Sequence, residues 1–361
     1  MEFIKKYPAV TPNCISLENN HIGDEGSIFL AGIVGNENTG LEKIKLGRNK
    51  FGPKGFQCIA AKLASRKYPM EGISIGSDDK RLNARAFLKF MQQFSLHPKL
   101  LPKHFTLDFV NIGVNPMTAL SKFPFARSFP LESLVLMNEL TYHMGLIAFL
   151  KVLRKYPNSS SKAFDINLYG KNDEEVLTVM IAIAKLLRIQ NCKMEKLTSH
   201  GGYISGESMS PILRSLESNR TLIELDAVLH PITIYEWDHL ASVLSDTRTR
   251  FSTYASNHLL VKFSNVPSSV PSKVRWLLAM NTLPDKATVG IMKVVDCHVA
   301  PKFRLDPFID MKPSLIANLL PCINQGFIAL HEHISNYDNH HQSEKVSNHE
   351  NNNSTIHYLI F

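Results

Sequence analysis

A chain of 361 residues with 44% hydrophobic content is long enough to bury a sizeable core, which excludes a mini-protein held by staples. The formal charge of +8 is unevenly placed: residues 41 to 103 carry 14 Lys or Arg against Glu42, Glu71, Asp78 and Asp79. No apolar run reaches the roughly 18 residues of a membrane span, and "MEFIKKYPAV" lacks the features of a secretory signal, so a cytoplasmic protein is expected, with the nucleus as the other compartment.

Cys14, Cys58, Cys192, Cys297 and Cys322 are odd in number and scattered, without a C-x-x-C pair, and read as reduced core thiols. The sequons at Asn158, Asn219 and Asn353 carry no meaning without secretion.

Residues 1–12 are expected to form a short N-terminal cap. A repeat then begins. Ile15-x-Leu17-x-x-Asn20-x-Ile22-Gly23-x-x-Gly26 returns 29 residues later as Ile44-x-Leu46-x-x-Asn49-x-Phe51-Gly52-x-x-Gly55. The helical part follows in phase, with Leu30, Ala31 and Val34 where Ile59, Ala60 and Leu63 stand. Degraded copies of the strand follow at 70–76, 104–111, 131–137, 164–170, 194–200 and 222–228; the phase of "HFTLDFVN" is ambiguous by two residues, and the sixth strand is expected to end its apolar series at Leu168. Between the strands, 84–94, 145–156, 176–188, 208–219 and 235–246 are apolar at three- and four-residue spacing, as helices are.

Period, strand and asparagine together resemble the leucine-rich repeat, and the length with a full helix resembles its ribonuclease-inhibitor-like subtype, over about residues 13–250. "SNRTLIELDAV" and the distal "LDPFIDMKPSLIANLLPCI" are also similar to a family of eukaryotic proteins of this subtype, a likeness that implies a fold and no activity. The resemblance implies an α/β solenoid of about eight repeats, a horseshoe with parallel strands on the concave face and helices on the convex face. In such a stack Asn20 and Asn49 are expected to satisfy backbone groups left unpaired by the turn, and Gly23, Gly26, Gly52 and Gly55 to relax the entry into the helix.

Strand alternation points Ile44, Leu46, Leu134, Leu136, Ile166, Leu168, Leu197 and Leu225 inward. It leaves a candidate partner-binding face. On it stand Lys43, Lys45 and Arg48, then Ser74, Thr106, Asp108, Ser133 and Val135. Asn167, Tyr169, Lys196, Thr198, Glu224 and Asp226 continue it, with Ser16, Glu18, Asp165 and His200 alongside.

Residues 251–325 read as a helical C-terminal cap with helices at 271–282, 285–296 and 313–324 and Trp276 as a core anchor; 326–361 reads as a disordered His- and Asn-rich tail. His331, His333, His340 and His341 lack the spacing of a zincin helix, so no metal is assigned and no cofactor is expected.

Two stretches approach catalytic motifs and miss them. His200-Gly201-Gly202 with Gly206-Glu207-Ser208-Met209-Ser210 imitates an esterase loop and elbow, but the two are adjacent where that fold separates them, and the span reads better as a repeat turn. Gly47 to Lys54 has Pro53 where a P-loop has lysine. The chain therefore reads as a non-catalytic scaffold for a protein partner with an acidic surface. A second reading, regulation of a small GTPase, follows from similarity in the repeats to a Ran-type GTPase activator, though that function tends to come with an acidic tail and this tail is not acidic. Nucleic-acid binding through 41–103 is ranked last, because the basic strands carry almost no aromatic residues.

Overall fold

The computed structural model describes residues 12–36, 40–77, 97–108, 131–137, 143–157, 161–229, 233–263 and 270–298, with 89 and 92. Chain contacts divide it into two units: the first spans Met1–Val243 and Leu259–Val270, the second Leu244–His258 and Pro271–Phe361.

The first unit is built on one parallel sheet whose strands lie in chain order. They are β1 (Cys14–Ser16), β2 (Lys43–Asn49), β3 (Gly72–Ser77), β4 (His104–Asp108), β5 (Ser133–Met137), β6 (Ala163–Asn167), β7 (Lys196–Ile204), β8 (Glu224–Leu229) and β9 (Lys262–Phe263). The last of these carries the sheet beyond residue 250, where the repeat pattern fades in the sequence. Between strands run α1 (Asp24–Val34), α2 (Pro53–Ala64), α3 (His143–Lys155), α4 (Asp173–Leu187) and α5 (Gly206–Leu216), and α6 (Ile234–Leu244) follows β8. Neighbouring helices α1 and α2, α3 and α4, and α4 and α5 pack against each other, so strands and helices form two stacked layers. The helical pattern at 84–94 lies almost wholly outside the described residues, as do 1–11, 313–324 and the tail.

The 29-residue period is structural: Ile15 pairs with Ile44, which pairs with Ile73. Leu46 faces Ile75, Ile75 faces Leu107 and Leu107 faces Leu136, which settles the phase of β4. In β6 the residue opposite Leu136 is Ile166 and not Leu168, a correction of two positions. Both side chains are buried, so hydrophobicity alone could not separate them.

Asn49 is fully buried and uses its whole amide. Its Oδ1 accepts from the backbone N–H of Asn20 at 3.1 Å and Ile22 at 3.0 Å. Its Nδ2 donates to the carbonyls of Leu17 at 2.8 Å and Leu46 at 3.0 Å. One side chain thus closes its own turn and the turn of the copy before it. Asn20, in the turn after β1, is exposed, and its side-chain Nδ2 donates to Glu18 O at 2.9 Å.

The glycines act differently from expectation. Gly52 and Gly23 have ordinary negative φ, and Gly55 is needed for contact: a Cβ there would stand 1.9 Å from Ser27 Oγ and 2.7 Å from Asp24 Oδ1. That closeness lets Asp24 Oδ1 accept from Gly55 N at 2.8 Å, placing a carboxylate at the N-terminus of α2. The tightest approach is at Gly76, where a Cβ would lie 1.4 Å from the carbonyl oxygen of Asp108. No rotamer relieves a clash with a neighbouring strand's backbone. Gly76→Ala is expected to lower stability by about 3 kcal/mol, read as a shift in denaturation midpoint without a change in slope.

The second unit contains α7 (Arg250–Tyr254), α8 (Ser272–Met280) and α9 (Lys286–His298). Helices α8 and α9 stand where two of the three distal helices are expected. Trp276 is partly buried and packs with Leu283 on Met280, Val289 and Met292. Lys293 of α9 is fully buried. Its Nζ donates to Leu244 O at 2.6 Å and Asn281 Oδ1 at 2.9 Å, and it also faces His258 Nδ1 at 3.0 Å and Asn257 O at 3.1 Å. Because His258 Nε2 meets the Tyr254 carbonyl at 2.6 Å, that nitrogen carries the hydrogen and Nδ1 is left to accept.

Among the described cysteines all are free, but only Cys192 is buried; Cys14 is exposed, and Cys58 and Cys297 are half-buried. The expectation of core thiols holds for one position.

Candidate interaction surface

The strand register brings the expected residues onto the sheet face opposite the helices. One lateral row reads Lys43, Gly72, His104, Ser133, Ala163, Lys196 and Glu224; the next reads Lys45, Ser74, Thr106, Val135, Asp165, Thr198 and Asp226. The residues between them, Ile44, Leu134, Phe164, Leu197 and Leu225 among them, are buried, because adjacent Cβ atoms of a strand point to opposite faces.

Many of these charges already have partners. Arg48, in the left-handed region at φ 54°, donates from Nε to Asp108 Oδ2 at 3.1 Å across β3. Ser74 Oγ donates to Glu18 Oε1 at 3.0 Å. Ser74, Asp108 and Thr198 are buried and offer a partner little surface. Lys196 and Glu224 pair at 2.9 Å, which raises the lysine and lowers the carboxyl from their ordinary values. His200 Nε2 meets Asp165 Oδ2 at 3.1 Å. Burial raises the Asp165 carboxyl above the usual range, against the opposing pull of His200, and its Oδ1 has no hydrogen bond among the described residues.

Asn167 spends its Oδ1 on Tyr169 N at 2.8 Å, and Tyr169 stands beyond the end of β6, 62% exposed. Lys43, Lys45 and Asp226 remain with no ion pair among the described residues. Of the face predicted from sequence, the structure therefore brings together a sheet surface on which, among the described residues, Lys43 and Lys45 of β2 and Asp226 of β8 form no ion pair.

The near-catalytic stretch resolves into strand and helix. His200 to Ile204 belong to β7, not to a turn, with a register slip between Ser199 and Ile204. Gly201 takes φ 75°, the left-handed state that Arg48 takes in β2. Ser208 is buried in α5 with its Oγ on the Asp173 carbonyl at 3.5 Å, so it faces backbone and not a substrate space.

Two features escaped the strand-based reading. One is a ladder at the strand entries, where Glu71 pairs with Lys103 at 3.2 Å and Lys162 with Glu195 at 3.8 Å; the first pair lowers the glutamate and raises the lysine. The other is a tetrapeptide at the helix exits, Arg66-Lys67-Tyr68-Pro69 and Arg154-Lys155-Tyr156-Pro157, visible to a repeat search that looks past the strands. A cleft of about 640 Å3 opens on the same rim, lined in part by Lys162, Lys193, Glu195, Arg220 and Thr221.

Among the described residues no group of three or more His, Cys, Asp or Glu is placed to hold a metal, and no helix is long and apolar enough to cross a membrane. The histidines at 331–341 lie outside the described residues. No family model matches the chain, and no curated protein matches it.

Proposed function

We propose that the chain is a leucine-rich-repeat solenoid of the ribonuclease-inhibitor-like subtype and that it serves as a non-catalytic scaffold, holding a protein partner on the concave strand face. The observation that carries this reading is the register itself. Consecutive parallel strands hold Lys43, Lys45, Thr106, Ser133, Val135 and Asp226 on one preformed face, so little ordering entropy is lost when a partner docks there. Unpaired lysines on β2 favour a partner that is acidic where it crosses that strand.

The test uses the full chain as bait for affinity purification with mass spectrometry, beside a variant carrying Lys43→Glu, Lys45→Glu and Asp226→Lys. Rim charges act mainly on association, so the variant is expected to lose its main partner by about tenfold or more at low salt. Retention of every partner by the variant overturns the assignment of this face.

A further inference from the structure

A second surface lies on the rim where the helices end and the strands begin. Parallel strands all start on one side, so every helix must carry the chain back to that side and finish there. The ends of α2, α3, α4 and α5 bring cations, whereas α1 and α6 have none in the last turn. Lys62 closes α2, Arg154 and Lys155 close α3, Lys185 and Arg188 close α4, and Arg214 closes α5, all on exposed positions except the half-buried ones that follow them in the turns. Helices α3, α4 and α5 pack in succession, which sets their groups roughly 10 Å apart along the rim; α2 stands apart from them, with β3, β4 and β5 between in the strand order.

Cations in a last turn have an ordinary explanation, since they complement the helix dipole. That explanation does not reach two further observations. Lys162, Lys193 and Arg220 come from strand-entry segments and not from helices, yet they converge on the rim cleft of about 640 Å3, where Glu195 is the one carboxylate among its lining residues. Further, one tetrapeptide recurs at two helix exits, just after the end of α2 and overlapping the last turn of α3, and in both its lysine lies near the ring of the tyrosine that follows. Lys67 Nζ sits 5.3 Å from the centre of the Tyr68 ring and Lys155 Nζ 5.5 Å from that of Tyr156. Tyr68 is 63% exposed, an aromatic face in water beside a cation. A similar Lys5-Lys6-Tyr7-Pro8 lies outside the described residues.

A row of cations alone suits any polyanion, whereas aromatic rings beside two of them, Lys67 and Lys155, suit one whose units carry flat faces. Acidic polypeptide has no use for the rings. Bases stack on them while the phosphates meet the cations. We propose that this rim binds single-stranded nucleic acid, with the sugar-phosphate backbone along the helix-end cations and bases on Tyr68 and Tyr156. This surface is distinct from the strand face and does not depend on its function.

The experiment is fluorescence anisotropy of the full chain with labelled oligouridine and oligothymidine of about 20 nucleotides, against polyglutamate of equal charge, over a salt series. Expected are binding at about 50 mM salt, a log–log salt slope of about −0.7 for each phosphate contacted, and weak competition by polyglutamate. The triple variant Arg154→Glu, Arg188→Glu, Arg214→Glu is expected to lose about tenfold or more, and Tyr68→Ala with Tyr156→Ala to weaken binding without changing the salt slope. Thermal unfolding of each variant confirms that it is folded. No binding at low salt, equal competition by polyglutamate, or an equal loss on Lys43→Glu with Lys45→Glu on the strand face overturns the proposal. A rim that fails this test leaves the strand-face scaffold untouched.

Discussion

Raising the pH from 7 to about 10 is expected to stabilise the second unit by about 3 kcal/mol, the reverse of what alkali does to most proteins. The cause is Lys293, whose amine burial pushes down from its ordinary value of 10.5 to about 7, with nearby Lys286 adding to the fall and Cys297 opposing it. In the unfolded chain the amine keeps its proton up to 10.5, while in the fold it gives it up above about 7. Between those values the unfolded state binds more protons, so stability climbs with pH and is flat below the window. The four acceptors around Nζ favour the charged form and hold the gain below the full difference. Denaturation followed by the fluorescence of Trp276, with Trp237→Phe removing the other indole, measures it. Lys293→Met is expected to erase the slope. A slope that survives in that variant assigns the effect to another group.

Asn49→Ala is expected to cost about 3–5 kcal/mol, the second large effect, because it strands polar groups that water reaches poorly. Four backbone partners lose their contact at once: the N–H groups of Asn20 and Ile22, and the carbonyls of Leu17 and Leu46. Each buried group left unpaired costs about 1–3 kcal/mol, and the partly buried N–H groups recover some of that from solvent. Asn20→Ala is the internal control. The same residue type at the same repeat position is exposed, and its side-chain Nδ2 donates to Glu18 O, so its loss is expected to cost under about 1 kcal/mol. Equal effects at both positions would refute the account of a shared turn.

Much of the first unit was legible because its signals are local. Alternation in a strand depends on neighbouring residues, and the spacing of Ile15 and Ile44, or of Leu46 and Ile75, is read directly along the chain and reappears as pairing in the sheet. The misplaced phase of β6 shows the limit of that reading. Ile166 and Leu168 are both apolar and both buried, and only the hydrogen bonds to β5 and β7 choose between them.

The candidate face was legible as a set of outward positions, but not as a distribution of free charge. Arg48 appears in the sequence as one of a basic trio, and its neutralising partner Asp108 lies 60 residues away. Ser74 likewise belongs to a basic segment and is occupied by Glu18, 56 residues earlier. Pairs of that kind exist only once the strands are stacked.

By itself, the sequence determined the period, the alternation of sides along the strands and the asparagine expected to satisfy the turn's backbone groups, since each follows from chain geometry over a few residues; that Asn49 joins its turn to that of the copy before it came from the stacked fold. Tertiary structure alone decided which charges cancel, that Lys293 is sealed among four acceptors, and that Lys162, Lys193 and Arg220 converge on one cleft, because proximity and dielectric surroundings are set by chain segments that meet only after folding.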